Sequence, residues 1–390
     1  MKNPQAVNRT VSTFAAVLLP LVLSACTAPA LQEKGAPGPA GSLPDAPVRQ
    51  KIAQMLLVGF RGTELTPDNH IYGDIRELGV GGVLLFDYDI PSRSRPRNIV
   101  SKEQLTRLCG DLQNIAPVKL FIAIDQEGGR VNRLREEYGF PPAISAEEMA
   151  ADSSGRRTKA QAEETARILS ETGINLNFAP CVDLNINPAN PVIGAYGRSF
   201  SADPETVVLH AEIWINAHRR YGILSCIKHF PGHGSSSGDT HQGSVDVTGT
   251  WQERELIPYR RIIRSRSGGG TLVMTSHVFN ASLDPRNPAT LSFPVLTGIL
   301  RDSLGYQGII VSDDLDMAAI KANYGFEETL EKAVNAGVDL LCLSNNGGTY
   351  DPYLARRAAD TLYRLVEENK ISPERIEASW RRIMAAKGEL

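Results

Sequence analysis

A regular alternation of short apolar runs with longer amphipathic stretches is the feature that most constrains what this chain can fold into. Short apolar runs bounded by turn-forming residues are typical of buried strands, and a 3.6-residue periodicity between them is typical of helices. Strands that alternate with helices along a chain form a parallel sheet. The eight predicted strands are Met55–Phe60, Gly81–Phe86, Leu120–Ile124, Ile174–Phe178, Ile223–Ile227, Thr271–Thr275, Gly308–Val311 and Asp339–Leu343.

Eight strand–helix units predict an α/β fold in which a single domain forms a closed (β/α)8 barrel of the TIM type. Such a barrel takes ~250 residues, so the rest of the 390-residue chain is assigned to loops and an added C-terminal helix. An open doubly wound sheet is the alternative, but no G-x-G-x-x-G motif follows any of the runs. The main predicted helices are Ser101–Ile115, Ala146–Thr172, Pro204–Tyr221, Pro294–Leu304, Asp351–Glu368 and Pro373–Lys387.

Side chains that can carry chemistry follow several predicted strands at the point where each strand ends. In a (β/α)8 barrel these ends meet at one face, and active sites lie there. The sequence therefore predicts one site formed by Asp125–Arg133 after strand three, Asp183 and Arg198 after strand four, Lys228-His229 after strand five, Ser276-His277 after strand six and Ser312–Asp314 after strand seven.

The segment Ile227–Gly243 holds the residues best suited to acid–base chemistry. Its apolar start breaks at Pro231-Gly232 into a loop rich in Gly and Ser. The Asp239 carboxylate can accept the N–H of His241, orient the ring and favour its protonated form, which is a good proton donor near neutral pH. Two alternatives stay open from this segment alone: a surface loop without a chemical role, or a zinc site formed by His229, His233, Asp239 and His241.

The motif K-H-F-P-G-H-G at Lys228–Gly234, followed by D-T-H at 239–241, resembles the signature of family 3 glycoside hydrolases in their single-domain β-N-acetylhexosaminidase branch. The segment Ser312–Met317, S-D-D-L-D-M, resembles the nucleophile motif of that family. The resemblance runs from Lys51 over nearly the whole predicted domain. It implies a retaining, exo-acting hydrolase of terminal N-acetylglucosamine residues.

Glycoside hydrolysis needs one group at the anomeric carbon and another that protonates the departing oxygen. Alternation along the seventh strand places Val311 and Asp313 on one face and Asp314 on the other. Asp313 is therefore expected to face the barrel mouth as the nucleophile, while Asp314 caps the next helix. The alternative is that both aspartates serve only as caps or ion-pair partners.

The resemblance also implies a role for each matched residue. It matches Asp313 to the nucleophile, His241 to the general acid/base and Asp239 to the residue that orients this histidine. The sugar-binding positions of the branch match Asp125, Arg133, Arg198, Lys228 and His229, whose carboxylate, guanidinium and ammonium groups suit sugar hydroxyls.

Other polar residues near these motifs are expected to act in support. Glu127 is assigned to the E-G-G turn through its backbone, and Asp183 and His277 are expected behind the sugar-binding groups. The loop that carries Arg198 reads G-A-Y-G-R-S-F, longer than the I-G-x-R-S-F of some relatives. Larger family members add a second domain that lends an acid/base carboxylate, and we expect a barrel loop to supply the proton donor here.

The N-terminus has the features of a lipoprotein signal peptide over residues 1–25. Lys2 and Arg9 precede the apolar run Phe14–Leu23, which is shorter than the ~20 residues needed to span a bilayer. Leu23-Ser24-Ala25-Cys26 resembles the bacterial lipobox, which implies lipidation of Cys26 and export. Thr27 after the cysteine favours the periplasmic face of the outer membrane. An ordinary signal peptide is the alternative.

Residues 26–47 are predicted to be a flexible, lipid-anchored tether, since prolines and glycines recur there, and residues 48–390 to be the catalytic domain. The formal net charge of -3 argues against a nucleic-acid partner. Cys109, Cys181, Cys226 and Cys342 show no spacing that fixes a disulfide.

The sequence as a whole predicts a monomeric β-N-acetylglucosaminidase without a metal or organic cofactor. Its expected substrates are N-acetylglucosamine-containing oligosaccharides from peptidoglycan or chitin, and membrane contact is expected through the lipid anchor only. A metal-dependent barrel hydrolase and a non-catalytic sugar-binding lipoprotein are the alternatives.

Overall fold

Eight parallel strands pair side by side and form the centre of the molecule, which we describe from a computed structural model. The structure describes residues 46–388 and Leu390, so the predicted signal peptide, Cys26 and nearly all of the predicted tether lie outside the described residues. The strands are β1 Leu56–Gly59, β2 Gly82–Leu85, β3 Phe121–Ile124, β4 Leu176–Asn177, β5 Leu224–Phe230, β6 Leu272–Thr275, β7 Ile310–Val311 and β8 Leu341–Leu343.

The sheet closes on itself as a barrel. Strand order follows the chain from β1 to β7, and β8 pairs with β1 in parallel, with Leu341 opposite Leu56. A bridge between Val311 and Leu340 joins β7 to β8, and Ser312 N donates to Leu340 O at 3.0 Å. The predicted (β/α)8 barrel is thereby confirmed, and all eight predicted strands contribute to it.

Helices surround the barrel and cover the outer face of its strands, which is why the strands are apolar on both faces. Three further α-helical segments have four or five residues, His70–Gly73, Ala146–Ala150 and Ala318–Lys321, and two segments are π-helical, Asp74–Leu78 and Pro294–Ser303. The longer helices are α1 Val48–Gln54, α2 Lys102–Ile115, α3 Arg156–Thr172, α4 Pro204–Arg220, α5 Ile257–Arg264, α6 Phe326–Ala336, α7 Leu354–Glu367 and α8 Pro373–Gly388.

Several predicted boundaries shift at their ends, and two differences matter most for the arrangement of the chain. The fifth strand was expected to end at Ile227, but it continues to Phe230, so Lys228 and His229 lie within a strand that is buried along its whole length. The single helix expected over Ala146–Thr172 is broken in two. Gly155 precedes the second helix with φ +71°, and a Cβ there would lie 2.5 Å from Ile213 Cδ1.

A two-stranded parallel ribbon was not predicted. It pairs Val245–Asp246 with Val278–Phe279 and joins the loop after β5 to the loop after β6. Strands of two residues are too short to show periodicity in a sequence. The ribbon gives the long loop after β5 a fixed end close to the mouth of the barrel.

The four cysteines beyond Cys26 are all buried and unpaired: Cys109, Cys181, Cys226 and Cys342. Their burial fits the common behaviour of free cysteine in cores. Within the described part of the chain, no helix combines the length and the apolar character that crossing a membrane requires.

Lys387 fastens the last helix to the bottom of the barrel, on the side away from the strand C-termini. Its Nζ donates to Gln54 Oε1 at 2.7 Å and to Gly81 O at 2.8 Å, and it lies 4.9 Å from the centroid of the Phe121 ring. These three partners are neutral. Burial without a counter-charge lowers the pKa of the ammonium to about 7.

The depressed pKa of Lys387 predicts a specific pH dependence of stability. An unfolded lysine has a pKa near 10.4, so between about pH 7 and 10 the unfolded chain binds more protons and stability rises with pH. We expect the wild-type free energy of unfolding to rise across this window by on the order of 3 kcal/mol relative to Lys387→Met.

Denaturant unfolding at pH 7, 8, 9 and 10 measures this difference. Lys159→Met, at an exposed position on α3, is the matched control and should follow the wild type at every pH. A Lys387→Met curve parallel to the wild-type curve would contradict the assignment.

Candidate active site

A cavity of about 830 Å³ opens at the C-terminal ends of the barrel strands. This is the face at which the sequence predicted the site. Every residue predicted for catalysis or substrate binding contributes to the cavity wall: Asp125, Arg133, Arg198, Lys228, His229, Asp239, His241 and Asp313. These residues lie in segments of the chain from strand three to strand seven, and only closure of the barrel brings them together.

A buried network of ion pairs forms the floor of the cavity. Lys228 Nζ lies 2.7 Å from Asp125 Oδ1 and 2.7 Å from Glu127 Oε1. Arg198 binds the same Glu127 carboxylate with two bonds, from Nε to Oε2 at 2.8 Å and from Nη2 to Oε1 at 2.7 Å. Two cations and two anions thus balance one another in a region with little access to water.

The side chain of Glu127, and not only its backbone, has a structural role, which corrects the expectation from the E-G-G turn. Burial favours the neutral carboxylic acid, but the charges of Arg198 and Lys228 outweigh burial and hold the pKa of Glu127 well below its ordinary value. Glu127 is therefore ionised and orients both cations. Glu127 follows Asp125 by two residues, and this spacing is the sequence signal that could have indicated that both carboxylates point to the same side.

Arg133 reaches the cavity from the loop after β3. Its Nη1 lies 4.0 Å from Asp87 Oδ1, while Arg135 Nε contacts the same carboxylate at 2.5 Å and Arg95 Nε at 3.2 Å. One carboxylate therefore serves three guanidinium groups. Arg133 makes the longest of the three contacts with this carboxylate, so its guanidinium is free to bind a polar ligand in the cavity.

Asp183 fixes His229 from behind, as expected for a supporting group. Its Oδ2 lies 2.7 Å from His229 Nδ1, and its Oδ1 accepts from His233 N at 2.8 Å. Burial acts to raise the pKa of Asp183, but His229 opposes burial by its charge and its hydrogen bond, and the pKa falls to about 2. The remaining ring nitrogen, His229 Nε2, is directed to the cavity beside Arg198 Nη2 at 3.4 Å.

Asp313 lies at the end of β7 and faces the cavity. Its Oδ1 accepts a hydrogen bond from Asp314 N at 2.8 Å, and its own N–H donates to Thr275 Oγ1 at 3.2 Å. Burial raises the pKa of the Asp313 carboxyl, but the nearby imidazoles of His277, His229 and His241 lower it further than burial raises it. Asp313 is consequently an ionised carboxylate with no cation in direct contact among its described hydrogen-bond partners.

Asp314 does not cap the following helix, which corrects a second expectation. The helix Ala318–Lys321 has Met317 at its N-cap, without a side-chain cap. The Asp314 carboxylate instead accepts from Ser344 N at 3.0 Å and from Ser344 Oγ, and so ties the end of β7 to the loop after β8. Burial raises the pKa of Asp314 to about 6.

His241 lies on the loop after β5 and is largely exposed at the rim of the cavity. Its Nδ1 is 2.7 Å from Asp239 Oδ1, and the same oxygen accepts from His241 N at 2.8 Å. The loop contacts the segment after β7, where Ala319 N donates to Thr240 O at 3.2 Å. The Asp–His pair expected from D-T-H is therefore formed, and His241 lines the same cavity as Asp313.

The zinc ligands considered for this loop do not converge. In the described residues, the one group of three candidate ligands with all donor atoms within 4.8 Å is Cys181, Asp183 and His229. His233, Asp239 and His241 do not belong to it. Asp183 already binds the imidazole and two backbone amides, and it accepts from Cys181 Sγ at 3.3 Å, so these contacts account for the group.

The chain matches the model of the glycosyl hydrolase family 3 N terminal domain over residues 47–386. It is 34% identical over 343 residues to beta-hexosaminidase A of Pseudoalteromonas piscicida, covering 81% of this chain and 54% of that relative. It is also 34% identical over 308 residues to beta-hexosaminidase LpqI of Mycobacterium tuberculosis, covering 75% of this chain and 72% of that relative.

The fold is similar to a solved glycoside hydrolase family 3 beta-N-acetylglucosaminidase from Paenibacillus sp. str. FPU-7. The TM-score is 0.77 at 35% sequence identity, covering 88% of this chain and 63% of that chain. This chain spans about half the length of the Pseudoalteromonas relative and under two thirds of the Paenibacillus structure.

The Glu127 network predicts a strong effect of one isosteric substitution. Glu127→Gln removes the charge that Lys228 and Arg198 share, and a buried cation left without its partner costs roughly 3–5 kcal/mol. We expect a loss of this order in the free energy of unfolding at pH 7. Glu136→Gln, an exposed position in the loop after β3, is the control, and equal stability of the two variants would contradict the role of Glu127.

A second prediction concerns Glu255, a buried residue beneath the loop that carries His241. A Cβ at Gly232 would lie 2.8 Å from Glu255 Oε2, and this oxygen has no hydrogen-bond partner. Burial raises the pKa of Glu255 to about 7, against roughly 4.3 when unfolded. Between these values the folded chain binds more protons, so stability falls as pH rises from about 4.5 to 7.

Glu255→Gln should remove this pH dependence of stability. Relative to the wild type, the free energy of unfolding of the variant should therefore increase by on the order of 2 kcal/mol between pH 4.5 and 7. Denaturant unfolding at four pH values across the window is the measurement. Glu253→Gln, at a position 81% exposed on the same turn, should match the wild-type slope. A wild-type slope in Glu255→Gln would show that Glu255 is ionised throughout.

Proposed function

The chain belongs to glycosyl hydrolase family 3, and on this premise we propose that it is a retaining exo-β-N-acetylhexosaminidase. Its substrates are oligosaccharides that end in N-acetylglucosamine, from peptidoglycan fragments or chitooligosaccharides. One observation carries the proposal. An ionised carboxylate, Asp313, and an Asp-oriented imidazole, His241, line the same cavity in a chain whose similar proteins are named as hexosaminidases.

In the first step, a carboxylate oxygen of Asp313 attacks the anomeric carbon of the terminal sugar. The bond from that carbon to the leaving oxygen breaks, and His241 gives its proton to this oxygen. Asp239 accepts the Nδ1–H of His241 and stabilises the positive charge of the ring before the transfer. The product of the step is a glycosyl ester on Asp313 with inverted anomeric configuration.

In the second step, neutral His241 takes a proton from water, and the water oxygen attacks the anomeric carbon. The ester bond to Asp313 breaks and the configuration inverts again, so the sugar leaves with its original anomeric configuration. The two residues then return to their starting protonation states. The lowered pKa of Asp313 serves both steps because the carboxylate must be ionised to attack and must leave as an anion.

The floor of the cavity supplies the groups that hold the terminal sugar. Asp125 accepts hydrogen bonds from two sugar hydroxyls, and Lys228 and Arg198, oriented by Glu127, donate to hydroxyls or to the N-acetyl carbonyl. Arg133 adds further donors, and His229 Nε2 adds another polar group to the cavity wall. Binding of this kind fixes the anomeric carbon beside Asp313, which lowers the entropic part of the barrier.

We also propose that the protein is exported and lipid-anchored at Cys26, on the periplasmic face of the outer membrane. The lipobox at Leu23–Cys26 supports this. The anchor would place the barrel among cell-wall fragments. Mass spectrometry of the N-terminal peptide should find lipid on Cys26 of the wild type and no lipid on the same peptide of the Cys26→Ser variant. An unmodified Cys26 would contradict the anchor.

The mechanism predicts different losses at the two catalytic positions. Asp313→Ala should lower kcat for an aryl β-N-acetylglucosaminide by roughly 10⁴-fold or more, and a slow fluorosugar should label Asp313 in the wild type. His241→Ala should lower kcat for a disaccharide by roughly 10²–10⁴-fold. It should lower the rate much less for a dinitrophenyl leaving group, which departs without protonation. Asp302→Asn, at an exposed position outside the cavity, is the control.

Each alternative would give a different result. Loss of activity with a chelator and recovery with zinc would indicate a metal-dependent hydrolase. Sugar binding without turnover, unchanged in Asp313→Ala, would indicate a non-catalytic binding protein. Equal losses for both leaving groups in His241→Ala would contradict its role as proton donor.

A further inference from the structure

We infer that Tyr196, supported by Arg130, forms a second sugar subsite, which binds the sugar on the leaving-group side of the bond that is cut. The inference rests on the proposed function, because such a subsite has meaning only next to a glycosidase centre. It deepens that function by selecting oligosaccharides over N-acetylglucosaminides with small leaving groups. The ligand is a pyranose ring with one apolar face.

Tyr196 presents an aromatic ring to the cavity. It lines the cavity wall and remains 40% exposed, although large apolar side chains of the described residues are mostly buried. Of the seven large hydrophobic side chains that are exposed in the described chain, only Tyr196 and Ile90 line this cavity. An exposed aromatic ring at the mouth of a polar pocket is typical of a binding surface rather than of a core.

The ring is held in place by the turn that carries it. Gly194–Tyr196 form one turn of 3-10 helix, and Gly197 follows at φ +61°, a conformation that favours glycine. Arg198 N donates to Ile193 O at 3.1 Å, and the Arg198 side chain is fixed by Glu127. The backbone of Tyr196 is therefore fixed relative to the cavity floor, which lowers the cost of ordering this residue when a sugar binds.

Arg130 supports the ring and adds a cation. The centre of its guanidinium lies 5.0 Å from the centroid of the Tyr196 ring, within the range of a cation–π contact. Arg130 is exposed and makes no ion pair with a described residue. Arg130 itself is not among the residues that line the cavity, so its contribution to the subsite is the contact that supports the Tyr196 ring.

The size of the cavity leaves room for this second ring. Its volume of about 830 Å³ is near the upper end of the ~300–1,000 Å³ typical of small-molecule sites, which is more than one monosaccharide needs. A second sugar ring beside Tyr196 is therefore compatible with the size of the cavity.

The test compares two substrates that share the first sugar. N,N′-diacetylchitobiose fills both subsites, whereas β-N-acetylglucosaminyl fluoride fills only the first. We expect Tyr196→Ala to lower the ratio of kcat/KM for the disaccharide to kcat/KM for the fluoride by about tenfold, the size of a lost stacking contact. Tyr196→Phe should keep the ratio within about twofold, and Arg130→Ala should lower it by a smaller factor.

Tyr353→Ala is the matched control, since Tyr353 is a more exposed tyrosine that does not line this cavity. It should keep the wild-type ratio. A wild-type ratio in Tyr196→Ala overturns the subsite, including when both rates fall equally, because an equal fall marks a structural role. If the wild type hydrolyses neither substrate, the proposed function itself has failed, and that outcome is distinct from a failure of the subsite.

Discussion

The interaction on which the site depends is the ion-pair network beneath the cavity, in which Glu127 holds Arg198 and Lys228 while Asp125 completes the charge balance. Cations buried in a protein are stable only where anions compensate them closely. The network draws on strands three, four and five, and closure of the barrel is what allows their ends to meet. It orients the polar groups before a ligand arrives.

The two residues proposed for catalysis, Asp313 and His241, lie on elements of different character. Asp313 is fixed at the end of β7 by backbone hydrogen bonds, and Asp314 next to it anchors the loop after β8. His241 is instead on an exposed loop, held by Asp239, by the contact of Thr240 with Ala319 and by the ribbon at Val245–Asp246. A nucleophile needs a fixed direction, whereas a proton donor that later serves as base benefits from access to water.

Residues at the rim of the cavity are proposed to add selectivity for the leaving group. Tyr196 and Arg130 do not take part in the floor network, although Arg198, two residues from Tyr196, does. A turn that joins a floor residue to a rim residue fixes the distance between the two subsites. Such a division lets the chain change its leaving-group preference without disturbing the ion pairs that orient the first sugar.

Sequence alone was sufficient for the barrel, because eight apolar runs with helical stretches between them have few other solutions once the sheet is parallel. It was also sufficient to predict that the motif residues, from Asp125 to Asp313, line one cavity, because the ends of the barrel strands meet at one face. It did not reveal the side-chain role of Glu127, the contact of Asp314 with Ser344, or the buried Glu255. Those depend on which strand ends become neighbours and on how much water remains between them. Only tertiary structure decides this, because ion pairing and burial act between residues that are far apart in the chain. A local sequence pattern does not show which of these distant residues come into contact.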